Sequence, residues 1–172
     1  MSHPQHTEFV KRNEPYAAAF GDKSSLAMPP AKKLVIVTCM DARIDPAASL
    51  GISEGDAHVI RNAGGLAKDA LRSLIISQRL LGTREIAVFH HTDCGMLTFS
   101  TDALRSIVKD AAKGDAMVAA QVEAIDFLEF SDVEGSVKAD VAWLKSEPLL
   151  LSDTTVTGWV FDVKSGKVQQ IL

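Results

Sequence analysis

The run Leu34-Val35-Ile36-Val37-Thr38 is almost entirely apolar. A strand with one face in water alternates apolar and polar side chains, whereas a strand covered on both faces reads as continuous apolar sequence. Ala57-His58-Val59-Ile60 and Ile86-Ala87-Val88-Phe89 repeat the type. Strands of this kind need a layer on each side of the sheet, and helices supply it in α/β folds. Between the second and third runs, Ala67, Ala70, Leu71, Leu74, Ile75 and Leu81 recur at helical spacing, and Gly82 offers a stop. Strand, helix and strand in that order predict a crossover between parallel strands.

The rest of the chain extends this pattern. Helices are expected over 101–113 and 117–130. Ser131-Asp132-Val133-Glu134 reads as a capping box opening another helix, with Val133, Val137, Val141 and Leu144 on one stripe until Pro148. Residues 154–163 and 167–172 are β-rich and flank Ser165-Gly166, a hairpin turn. Ahead of the first strand, an amphipathic helix is expected from about Gln5 to Phe20, ended by Gly21 and then Met28-Pro29-Pro30. The predicted organisation is an N-terminal helical arm, 1–30, and a single α/β domain, 31–172. That domain has a mainly parallel central sheet flanked by helices and closes on a hairpin-like strand pair. The arm packs on its own domain or crosses onto a partner, and patterning alone favours the first.

Composition removes several function classes. A chain of 172 residues suits one domain. Its net charge of −4 gives no basic footprint for nucleic acid or an anionic membrane. No apolar run reaches the roughly 18 residues of a membrane span. The first thirty residues lack the charged-then-apolar pattern of a secretory signal, so a cytoplasmic location is expected. The two cysteines, Cys39 and Cys94, are too few for a disulfide framework.

Both cysteines follow predicted strands, in Cys39-Met40-Asp41-Ala42-Arg43 and His91-Thr92-Asp93-Cys94-Gly95. Ligands bind outside the carboxyl ends of strands in open α/β sheets. A lone cysteine there is usually a small buried hydrophobe. Two thiolates and an imidazole are instead a zinc set that leaves a fourth position open. His91 and Cys94 are three apart, close enough to bind one ion from a single turn, and His90 is left as a core residue. Asp41 can reach the metal or a water bound to it, and Arg43 can hold that carboxylate ionised in a bidentate pair. Arg61-Asn62-Ala63-Gly64-Gly65 lacks the G-x-G-x-x-G spacing of a dinucleotide loop. It reads as a strained loop lining the metal pocket.

These motifs resemble the β-class carbonic anhydrases. Cys39-Met40-Asp41-Ala42-Arg43 matches the family's Cys-x-Asp-x-Arg signature, and His91-Thr92-Asp93-Cys94 its His-x-x-Cys. The short chain and His90-His91-Thr92-Asp93-Cys94-Gly95-Met96 are similar to a compact subgroup that also contains carbonyl sulfide and carbon disulfide hydrolases. The resemblance implies one Zn2+ per subunit on Cys39, His91 and Cys94, with Asp41 as a fourth ligand in a closed state. It implies Asp41 and Arg43 as the catalytic dyad, and a homodimer or larger homo-oligomer embraced by the arm. Substrate-pocket candidates are Ala63, Gly64, Gly65 and Gly95. Zinc lowers the pKa of a bound water from ~15.7 toward ~7, and the hydroxide so formed would hydrate CO2 to bicarbonate. The same chemistry serves COS or CS2, and a non-catalytic zinc-stabilised or redox module is the alternative from another class. Some bacterial members of the family use a Trp three residues before the first ligand for a bicarbonate switch; Ile36 stands there.

Overall fold

The computed structural model describes residues 5–172, so the first four residues of the predicted arm lie outside it. Among the described residues the strands are β1 (Leu34–Cys39), β2 (Ala57–Asn62), β3 (Glu85–His91), β4 (Thr155–Phe161) and β5 (Val168–Gln170). They form one sheet in the order β2-β1-β3-β4-β5. The first four pair in parallel and β5 runs antiparallel to β4. The helices are α1 (Phe9–Ala18), α2 (Pro46–Leu50), α3 (Ala67–Leu81), α4 (Thr101–Ala111), α5 (Ala116–Glu123) and α6 (Val133–Ser146).

The chain leaves β1 toward β2 on one side, then crosses back through α3 to place β3 on the other. The gap between β1 and β3 is therefore the topological switch point, where an open α/β sheet opens a crevice at its carboxyl edge. On one face Val35, Val37, Ile86 and Val88 pack against Leu74 of α3 and Val137, Val141 and Leu144 of α6. Gly158 of β4 makes that approach possible, because a Cβ there would lie 2.5 Å from Val137 Cγ1. The opposite face, built on Ile36, Ala87 and Phe89, is covered more thinly by Leu50 and Ile52 around α2.

Three local expectations are corrected. Ala57–Ile60 read as doubly buried, but β2 is the sheet edge and Val59 is half exposed. The helix expected over 117–130 stops at Glu123. Asp126 Oδ1 instead accepts the Leu128 amide, and Leu128 takes a positive φ of 58°, which an α-helix cannot continue. The cap of α6 is Asp132 rather than Ser131. Its carboxylate accepts the Gly135 amide at 2.7 Å, three residues on as capping geometry demands.

Candidate metal centre

β1 and β3 run side by side and deliver their last residues, Cys39 and His91, to the switch point. Cys94 follows one tight turn later, where Asp93 takes a φ of 56° to reverse the chain. The sulfurs of Cys39 and Cys94 and a nitrogen of His91 lie within 4.8 Å of one another, and all three residues are buried. That is close to the spread of ligands sitting ~2.0–2.3 Å from one ion. His91 Nδ1 lies 2.9 Å from the Thr92 carbonyl, so it carries the proton and donates. Nε2 is left with its lone pair, buried, and without a hydrogen-bond partner among the described residues. A bare imidazole nitrogen facing two buried thiols is the donor set of a soft divalent cation.

The electrostatics agree. The Cys94 thiol, with the amides of Asp41 and Gly64, holds the Cys39 thiol well below its ordinary range despite burial. Cys94 is pushed up by Cys39 and by burial. Cysteine binds a metal as thiolate, so an ion held here would displace the protons the two sulfurs carry. Arg43 grips Asp41 through Nε at 3.0 Å and Nη2 at 2.7 Å. This guanidinium, helped by the Arg43 amide, keeps the Asp41 carboxyl far below the usual carboxylate range. Asp41 Oδ2 is 3.8 Å from His91 Nε2.

Residues 34–168 match the profile of the carbonic anhydrase family. The β-carbonic anhydrase 1 of Mycobacterium tuberculosis is 42% identical over 165 residues, 95% of this chain and 96% of that one. The chain belongs to the β-class carbonic anhydrases. A solved carbonic anhydrase from Glaciozyma antarctica is 52% identical and superposes with a TM-score of 0.93 over the full length of both chains. A carbon disulfide hydrolase of Acidithiobacillus thiooxidans is 32% identical over 164 residues, covering 86% of this chain and 81% of that one.

For a β-class carbonic anhydrase, the second layer of the site is informative. Arg43 also reaches Asp93, through Nη1 to the carboxylate at 2.7 Å and Nη2 to the carbonyl at 2.9 Å. One guanidinium therefore ties the loop after β1 to the loop after β3. Arg61, on β2, donates to the carbonyls of Cys39 at 3.0 Å and Asp41 at 2.7 Å. Its role here is to brace the first loop. Asn62 clasps the glycine loop with bonds to the Leu66 amide and carbonyl, at 2.7 and 2.9 Å. Sequence reading noticed Arg61, Asn62 and Asp93 inside motifs but gave them none of these partners, which lie up to fifty residues away.

A cavity of about 400 Å3 opens over Cys39, Asp41 and Cys94. Ala63, Gly64 and Gly95 line it, together with Met40, Met96, Phe99, Leu104 and Phe127. Gly65 lies behind it, wedged between β1 and β3 with φ +75°. His90 is fully buried in a network of its own. Its Nδ1 is 2.6 Å from Ser136 Oγ, its Nε2 is 3.2 Å from Asp140 Oδ2, and Phe130 stacks on its ring. Asp140 Oδ2 also accepts the Ala67 amide at 2.8 Å, capping an α3 that has no side-chain cap of its own.

Proposed function

We propose that the protein is a zinc carbonic anhydrase that catalyses the reversible hydration of CO2 to bicarbonate and a proton. The observation that carries this reading is the bare His91 Nε2 facing Cys39 and Cys94 beside the Asp41–Arg43 pair, where the two sulfurs and Asp41 open onto an apolar cavity. One zinc ion per subunit would be held by the two sulfurs and Nε2, and when bound it supplies an acidified water as nucleophile. The chain's own residues do the rest. Asp41 stays ionised at every working pH and accepts a hydrogen bond from the attacking water, which aims it at the substrate carbon. Arg43 fixes Asp41 in that pose, and Asp93 fixes Arg43. Met96, Phe99, Leu104 and Phe127 offer a linear, uncharged molecule an apolar berth and keep bulk water from it. With Oδ2 so near Nε2, Asp41 also has the reach to close the site as a fourth ligand.

COS or CS2 hydrolysis is the second reading, favoured by the carbon disulfide hydrolase relative and by apolar walls that accept sulfur as readily as oxygen. A homodimer or larger homo-oligomer is part of the proposal, with residues 1–30 reaching over a second copy. Phe9 and Val10 of α1 are exposed, and the sheet face under α2 is thinly covered. Tyr16 and Lys23 both bond Glu54, which anchors the arm's base to its own domain. Two free buried thiols suit the reducing cytoplasm, and among the described residues no helix is long and apolar enough to cross a membrane.

The test is Asp41→Ala with zinc quantified. Zinc content and fold should persist while CO2 hydration falls at least about 100-fold, the scale of a lost acid–base group. Zinc-loaded wild type that hydrates nothing between pH 7 and 9 would sink the enzyme reading and leave a structural zinc module.

A further inference from the structure

One wall of the cavity is built differently from the floor that carries the sulfurs. The floor belongs to strand ends and the glycine loop, braced by Arg61, Asn62 and Arg43. The wall comes from Phe99, from Leu104 on α4 and from Phe127 in the irregular segment after α5. α4 buries no residue completely, and α5 buries only Val122. What holds this region over the site is a set of polar clamps. Glu129 accepts from both the amide and the hydroxyl of Thr101, at the start of α4. Arg105 donates to the carbonyls of Glu123 and Ile125, at 3.0 and 2.9 Å. The clamps sit on both sides of Phe127 and fix its backbone, and its half-buried ring points into the cavity.

We infer that Phe127, backed by Phe99 and Leu104, is the specificity-determining wall of the site, setting the width open to a linear triatomic substrate and hence the preference between oxygen and sulfur at its far end. This rests on the proposed CO2 reaction, because a molecule held at Cys39, Cys94 and Asp41 would share with Phe127 the cavity they all line. The floor offers charge, thiolates and amides, and none of these measures the size of that atom. The wall is apolar throughout, so discrimination there is steric. Sulfur is larger than oxygen, and an apolar pocket separates neighbours in size by roughly 10–200-fold.

The experiment uses Phe127→Ala, Phe127→Trp and Leu104→Phe in the full chain, with metal content matched. One readout is kcat/KM for CO2 and for CS2. A second needs no turnover: the cobalt-loaded protein is titrated with cyanate and thiocyanate, linear anions ending in oxygen and sulfur, and the visible spectrum is followed. Phe127→Ala should move both ratios toward sulfur by about tenfold. Phe127→Trp and Leu104→Phe, which each add bulk to the wall, should move them the other way. Ratios within twofold of wild type in all three variants overturn the assignment. Should wild type bind both anions yet hydrate no CO2, the proposed reaction fails by itself, and the anion ratios still decide the wall. A chain that takes up no metal overturns both.

Discussion

Gly65 and Gly82 have the same left-handed backbone, with φ of +75° at each, but different surroundings. A Cβ built on Gly82 meets nothing within 4 Å. One built on Gly65 would lie 2.7 Å from the Thr38 carbonyl carbon, 2.8 Å from the Cys39 amide nitrogen and 2.9 Å from the Phe89 carbonyl oxygen. These are backbone atoms of the two central strands, and no rotamer change relieves them. Alanine at either position carries the left-handed cost of about 1–2 kcal/mol. At Gly65 an overpacking cost of about 1–3 kcal/mol is added. Gly65→Ala should therefore be destabilised more than Gly82→Ala by roughly 1–3 kcal/mol, a further drop in Tm of roughly 2–12 °C for a chain of this size. Urea denaturation of both variants at one protein concentration measures the difference with the mass-action contribution of association held the same. Because the clash is with the amide of Cys39, Gly65→Ala should also bind zinc more weakly, whereas Gly82→Ala should not. Equal destabilisation of the two variants, with equal zinc affinity, would refute the contact argument and leave only the backbone conformation.

Replacing Asp140 with Ala leaves the Ala67 amide and His90 Nε2 without their buried acceptor, at a cost of about 1–3 kcal/mol; Asp140→Asn should lose less, and urea midpoints measure both. Arg43 holds the Asp41 carboxyl below its unfolded value of 3.8, so the pair stabilises the fold above about pH 4 and that contribution is lost as pH falls through the folded pKa. In chelator-treated protein, the stability gap between wild type and Asp41→Asn should therefore be widest near neutrality and close below about pH 4.

The parts of the fold that announced themselves are those governed by local period and by burial on both faces. Val35, Val37, Ile86 and Val88 can be recognised as core because a doubly covered strand has no polar side chain to spare. Gly82 could be placed because glycine takes the left-handed conformation with which many α-helices stop. The failures have equally local causes. Asp132 took the cap from Ser131 because two capping residues stood side by side, and the register was settled by which side-chain oxygen reached the Gly135 amide. Residues 124–130 kept a helical composition but followed an Asx turn at Asp126. In the site, Cys39, His91 and Cys94 were conspicuous because a thiol or imidazole after a buried strand is uncommon. Asp93 and Arg61 were not, since what they hold is a guanidinium and two carbonyls contributed by another strand. Phe99, Leu104 and Phe127 look like any apolar residues until the chain brings them together.

The placement of the three candidate ligands on neighbouring strands bears on how the centre is assembled in time. His91 and Cys94 share one turn, but Cys39 and Cys94 are fifty-five residues apart, and they meet only when the first strand docks beside the third. A nascent or unfolded chain therefore offers a two-donor half-site of low affinity, and the complete set exists only after the middle of the sheet has zipped. Metal uptake by this chain would thus report the closing step of folding, and a scavenging chelator added during refolding should compete with chain collapse rather than with the finished protein.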